Sequence, residues 1–288
     1  MDFPGQVSRV FGFFNSSTFP DIVKTPYTSN TLKDFLLSQP LTVDVEIDDE
    51  ACGCFPVKCI EFEATVLYLG IHEFSRLSLE LSPSGMLIYL NMFLLWTEES
   101  LESGNFCVVE KFLDNAVLLL FSKRFGSEDP FLDALRVARW IGEQDTLLFR
   151  PDIGIASGTV AAGFAGTARA FTASVFGRPV ILAAGCAKMK PGGDLASCIT
   201  FPAEEWGVRS FDEAFPAFDV QHPDKGRVKQ PSTWTLGEVR TVEFPGSGRT
   251  SLRDVANFIH WMPKVSADKK AAEWLETIKT KGYFKNKR

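Results

Sequence analysis

The sequence predicts an α+β protein, an α/β sandwich built on a ferredoxin-like core with the element order βαββαβ. Three observations carry this prediction. Period-two strand patterns and helical patterns follow one another in that order, two of the helices begin with a Ser or Asp cap followed by proline, and two of the strands are joined by a tight turn. The chain has 288 residues, 45% hydrophobic and 26 of them phenylalanine, enough to bury a sizeable core.

Residues 1–60 read as an irregular segment, interrupted by proline and acids in NSSTFPD and SQPLTVDVEIDDEA, with a helix near 30–38 and a strand at 41–47. EFEATVLYLGI (61–71) is rich in β-branched and aromatic residues and reads as a clean strand. LSPSGMLIYLNMFLLWTEESLESGN (81–105) reads as one long helix. Ser82 is its N-cap, Pro83 its first residue and Gly104 its stop, with Met86, Leu87, Leu90, Phe93, Leu94 and Leu101 as the apolar stripe. FCVVEKF and AVLLLF are two strands turned around Asp114-Asn115. DPFLDALRVARWIGEQ (129–144) is a second helix, capped by Asp129, with Leu132, Leu135, Val137 and Ala138 facing inward. Residues 151–187 read as strand, glycine-punctuated turn, strand, and a helix from Arg178-Pro179. The stretch after residue 200 is richer in Pro, Gly and charge and adds strands such as WTLGEVRTVEF (234–244). A short lysine-ended helix closes the chain, a solvated terminus that complements the helix dipole, with a specific acidic partner as the alternative. The expected division is an N-terminal extension (1–59), the core (60–200), added strands or a peripheral segment of the same domain (201–265), and a C-terminal helix with a basic tail (266–288).

Several function classes are excluded by composition. A net charge of −6 argues against a nucleic-acid footprint, which needs clustered Lys and Arg. The longest apolar run, MLIYLNMFLLW (86–96), is about half a membrane span and contains Asn91. MDFPGQVSR has an acid at position 2 and no apolar leader region, so the expectation is a cytoplasmic protein. CGCFPVKC (52–59) groups Cys52, Cys54 and Cys59, but no second cysteine pair follows and the nearest imidazole is His72, so reduced thiols are expected rather than a zinc site. His72, His222 and His260 are far apart and form no metal-binding pattern.

Four segments in order resemble the catalytic domain of class III adenylate and guanylate cyclases: ATVLYLGIHEFSRLS (64–78), LSPSGMLIYLNMF (81–93), VVEKFLDNAVLLLF (108–121) and DIGIASGTVAAGFAGTARAFTASVFGRPVILAAGC (152–186). The resemblance covers about half the chain and implies a cyclase homology domain. In that family two aspartates hold two divalent metals that activate the 3′-hydroxyl and neutralise the phosphates. An asparagine and an arginine from the other subunit orient the ribose and stabilise the charge at phosphorus. Carried over, the first metal aspartate falls on Gly70, the second on Asn115, the asparagine on Ile181 and the arginine on Gly185. None of the four keeps its chemistry: Gly70 has no side chain, Asn115 is neutral where hard cations need anionic oxygen, Ile181 cannot hydrogen-bond and Gly185 carries no charge. Because both halves of the composite site are lost, an intact partner would not complete it.

The resemblance places base-reading positions on Lys111 and Ser174 and phosphate-side turn positions on Phe74 and Ser75, beside retained Ile71, Gly154, Gly158, Gly163, Gly166 and Gly177. These residues have two readings, fold requirements or a nucleotide pocket kept without catalysis. The implied protein is a catalytically inactive cyclase-homology subunit that dimerises, regulates or binds nucleotide, with no cofactor. Its partner would be a second copy or another cyclase-like protein. The alternative is a divergent active cyclase using Mg or Mn, with Asp114, Glu110, Glu73 or Asp152 as substitute ligands.

Overall fold

The computed structural model describes residues 32, 35–36, 43–49, 53–101, 107–113, 115–143, 149–167, 170–192, 195, 197–222, 225–244 and 248–258. Expectations for 1–31 and for the C-terminal helix and basic tail at 266–288 fall outside these residues. The elements run β1 (Val43–Asp49), β2 (Gly53–Ile71), α1 (Phe74–Glu80), α2 (Pro83–Ser100), β3 (Cys107–Leu113), β4 (Ala116–Phe121), α3 (Pro130–Glu143), β5 (Pro151–Thr167), β6 (Ala170–Phe176), α4 (Arg178–Lys188) and β7 (Ser197–Pro202). There follow α5 (Phe211–Ala214), β8 (Phe218–His222), β9 (Gly226–Gln230), β10 (Trp234–Leu236), β11 (Arg240–Phe244) and β12 (Gly248–Asn257).

A ten-stranded sheet runs in the order β10-β12-β7-β5-β2-β4-β3, with β1 on β2, β6 on β5 and β11 on β12. Its centre, β5-β2-β4-β3, is the order of a ferredoxin-like sheet, each neighbour antiparallel, and β7 joins β5 in parallel. The α+β class and the split βαβ core expected from the sequence are therefore observed. β4 and β7 are buried at all six positions each, as central strands covered on both faces should be.

Alternation along β2 sorts its side chains onto two cores. Leu67, Leu69 and Ile71 face α2 and α3, where Phe93, Phe121, Phe131, Phe149, Phe201 and Trp234 fill the space. Phe62, Ala64, Val66 and Tyr68 face α4 and the helical residues Leu32 and Leu36 that precede β1. Gly154 lets α4 lie directly on β5, since a Cβ there would stand 2.0 Å from the Ala183 carbonyl oxygen.

The caps are as read: Ser82 Oγ accepts the Gly85 N–H at 3.1 Å and Asp129 Oδ1 accepts the Leu132 N–H at 3.1 Å. Five details differ from the sequence reading. The first strand of the core begins at Gly53, not residue 61, because β1 pairs with its N-terminal half and overrides the proline and acids there. The turn after it contains the seven-residue α1, entered through Glu73 in the left-handed region (φ 52°). The long helix ends at Ser100, short of Gly104. Leu87, expected in its buried stripe, is 61% exposed, while Ile88, Tyr89 and Phe93 carry the contact. WTLGEVRTVEF is two strands, β10 and β11, both paired to β12. Among the described residues no helix is long and apolar enough to cross a membrane.

Candidate functional site

The C-terminal end of β2 brings together the positions that the sequence singled out. Gly70 pairs with Ala116 across the β2–β4 ladder, and the Ile71 N–H donates to the Asn115 carbonyl at 2.8 Å. On the other side Gly70 pairs with Asp152 of β5. Residues 70, 115 and 152 thus meet at one edge.

That edge is filled by the protein's own groups. Tyr68 stands two residues before Gly70, on the same strand face, and its ring lies over the glycine: a Cβ at position 70 would be 2.8 Å from a ring carbon. Burial, and then the Asp152 carboxylate, push the Tyr68 phenol up, so it stays protonated. Asp152 accepts from Lys190, just beyond α4, and from His72 Nδ1 at 3.0 Å, while Lys190 Nζ and His72 Nδ1 are 3.1 Å apart. Burial alone would raise the Asp152 carboxyl, but the hydrogen bonds from His72 and Lys190 outweigh it and hold the group below the usual carboxylate range.

The two positions on α4 differ from each other. Ile181 is 63% exposed, whereas Gly185, one turn on, is covered by Phe244 of β11: a Cβ at 185 would lie 2.1 Å from a ring carbon. β11 is held there by Arg240, which donates to Asp254 from Nε at 2.7 Å and from Nη2 at 3.1 Å and also bonds the Met189 carbonyl at the end of α4. Thr200 adds a 2.6 Å hydrogen bond to the same carboxylate, which is 5% exposed. Nothing near position 185 in the sequence signals this cover, because Phe244 and Asp254 arrive from the last strands of the sheet.

The remaining singled-out residues are more scattered. Phe74 packs on the α2–α3 core and Ser75 is exposed in the first turn of α1. Ser174 is 3% exposed on β6, opposite Gly163. Lys111 pairs with Leu118 just after an irregularity in β3, and β3 and β6 approach each other, but the Lys111 side chain lies outside the described residues. The Glu110 side chain and Asp114 lie outside them as well. Glu73 is bound at 2.6 Å to Arg76 on the surface. Cys59, Cys107, Cys186 and Cys198 are free thiols, and burial pushes the last three up to about 12, so they are neutral at physiological pH. Among the described residues no three His, Cys, Asp or Glu side chains gather where a metal could sit.

No protein-family model and no curated protein matches the chain. Solved structures do. The adenylyl cyclase CyaB from P. aeruginosa is similar at 15% identity and TM-score 0.52, over 72% of this chain and 100% of that one. A bacterial light-regulated adenylyl cyclase is similar at 16% identity and TM-score 0.54, over 95% of this chain and 71% of that one. The catalytic core of a rhodopsin-guanylyl cyclase with converted specificity, solved with ATPαS, is similar at 17% identity and TM-score 0.50, over 69% of this chain and 98% of that one. Sheet order, helix placement and these likenesses agree that the chain has the fold of nucleotidyl cyclase catalytic domains.

Proposed function

We propose that this protein is a degenerate class III cyclase-homology subunit that makes no cyclic nucleotide and acts by binding, as a dimerising or regulatory partner. The observation that carries this reading is that two of the four vacated positions are covered by the protein's own side chains. Tyr68 covers Gly70 and Phe244 covers Gly185, and Lys190 neutralises Asp152, the one described carboxylate beside Gly70. The donor set does not fit a pair of divalent metals. Gly70 offers no side-chain oxygen, the Asn115 side chain offers at most a neutral one, and an ammonium already sits on Asp152. No phosphoryl-transfer step is derived from such a set. The dimer would be a second copy or another cyclase-like chain, and exposed Ile181 on α4 is an apolar residue in the place where the family's partner-facing asparagine stands.

Incubating the purified protein with each nucleoside triphosphate and Mg²⁺ or Mn²⁺ tests the reading. The expected result is no cyclic product above a no-protein control, and any cyclic product overturns it. A nucleotide-binding role through Lys111 and Ser174 is a narrower version, and calorimetry with ATP, GTP and the cyclic nucleotides decides it. Saturable binding lost in Lys111→Ala is expected, and no saturation at millimolar ligand ends that version.

A further inference from the structure

A second site lies five residues back along β2 from Gly70, around Thr65. Between the start of α3 and the 3-10 turn Ala203–Trp206 there is a cleft of about 510 Å³, within the usual range for small-molecule pockets. Its floor includes Thr65 and Ser157, whose hydroxyls share a 2.8 Å hydrogen bond. Thr65 is five residues from Gly70, roughly 17 Å along the strand, and points to the other face of the sheet. The cleft is therefore separate from the edge at Gly70, and the inference does not depend on whether that edge is catalytically silent.

One wall is the 3-10 turn Lys123–Phe125. Its anchor is Ser122, buried, which donates to the Glu63 carbonyl at 2.7 Å and accepts the Arg124 N–H at 3.3 Å. Arg124 lies 5.7 Å from the Phe62 ring centroid. The turn thus presents two cations from a fixed base.

The pairing of charges in the cleft is uneven. Asp129 is bound by Arg209 through two hydrogen bonds, at 2.8 and 2.9 Å. Glu205 accepts the Ser157 N–H at 2.6 Å, and Glu63 accepts the Thr159 hydroxyl. Each lining carboxylate therefore has a protein donor. Among the described residues Lys123 and Arg124 form no ion pair. The three acids and three bases of the lining cancel, which disfavours a polyanion such as a nucleoside triphosphate, because Glu63 and Glu205 would repel it. The arrangement suits a molecule with one anionic end for the cations and hydroxyl groups for the carboxylate and hydroxyl floor.

We propose that this cleft binds a small phosphorylated polyol, a sugar phosphate in class, with its phosphate on Lys123 and Arg124 and its hydroxyls toward Thr65, Ser157, Glu63 and Glu205. Calorimetry on the full chain, with ribose 5-phosphate, ribose and inorganic phosphate as separate probes, tests it. Saturable binding of ribose 5-phosphate is expected, at least about tenfold tighter than either fragment and weakened at least about tenfold in Lys123→Met/Arg124→Met. Thr65→Val, which keeps the shape but removes the floor hydroxyl, should weaken ribose 5-phosphate and leave inorganic phosphate unchanged. Thermal melts of each variant distinguish lost binding from lost folding, and Lys123→Met alone, which leaves Arg124 on Phe62, serves if the double variant unfolds. No saturation at millimolar ribose 5-phosphate, equal binding in folded variants, or phosphate alone binding as well as the sugar phosphate would each overturn the proposal.

Discussion

Two places along β2, at Gly70 and around Thr65, carry opposite kinds of surface. Around Gly70 the described groups meet one another: a tyrosine ring lies on the glycine, a lysine and a histidine on Asp152, and on the same face of the sheet a phenylalanine lies on Gly185. At Thr65 the carboxylates are tied, while Lys123 and Arg124 form no ion pair among the described residues. The difference is one of packing. A vacated position inside a close-packed frame does not stay open, because neighbouring side chains gain contact by moving in. Charges left without a protein partner lie where packing does not reach. If this comparison is right, substitutions at the closed end should cost stability and those at the open end should cost only binding.

The largest effect is expected at the bolt that holds β11. Arg240→Met removes the partner of Asp254, a carboxylate 5% exposed, and leaves a buried charge with only Thr200 and Cys198 near it. The loss should be about 3–5 kcal/mol, read from chemical denaturation. A loss under about 1 kcal/mol would mean that β11 is not clamped to α4 and that Phe244 is free to leave Gly185.

The covered glycine gives the next effect, best measured as a cycle. Gly185→Ala places a methyl 2.1 Å from the Phe244 ring and should cost about 1–3 kcal/mol by overpacking. Phe244→Ala empties a buried ring site and should cost about 3–5 kcal/mol. Combined, the two should cost less than their sum by at least about 0.5 kcal/mol, because the gap left by the Phe244 ring admits the new methyl. Strict additivity would show that the ring does not occupy the space of a side chain at 185.

These closures show which parts of the molecule the sequence made legible. Periodicity and caps located α2, α3, α4 and the central strands, since each signal is local: Ser82 and Asp129 bond the N–H groups three residues ahead, and β2 alternates residue by residue. A strand at 41–47 was read and β1 stands there, but the start of β2 was hidden, because pairing with β1 rather than propensity makes it a strand. The meeting of Gly70 with Asn115 was readable from the resemblance. Tyr68 over Gly70 was open to the same alternation rule. Phe244 over Gly185 and Lys190 on Asp152 were not, being long-range contacts with no pattern in the chain, and the cleft beside Lys123 is drawn from five separate segments.

A smaller effect separates the ion pair at the closed edge from the packing around it. Asp152 is held below the usual carboxylate range, so its contribution is fully present above the unfolded value of about 4 and is lost as pH falls through its depressed native value. Lys190→Met removes one of the two donors and should cost about 1 kcal/mol at neutral pH, since the pair is only part-buried. The difference from the parent protein should shrink as the carboxyl protonates. A penalty that persists unchanged at pH about 2 would assign it to the lysine's methylenes rather than its charge.

The smallest effect belongs to the open end, and its smallness is the point. Lys123 and Arg124 are exposed, pair with no described carboxylate, and sit on a turn whose geometry is set by Ser122 and Glu63 rather than by their own heads. Removing both charges should therefore leave the unfolding free energy within about 0.5 kcal/mol of the parent, with Arg124 giving up only its contact with Phe62. A larger loss would place the two cations among the groups that hold the fold, and the two places on β2 would then be alike. A negligible loss in the same variant that loses ribose 5-phosphate would mean that these charges are kept at a cost to nothing but an unbound cleft. That is how a ligand site differs from a structural one.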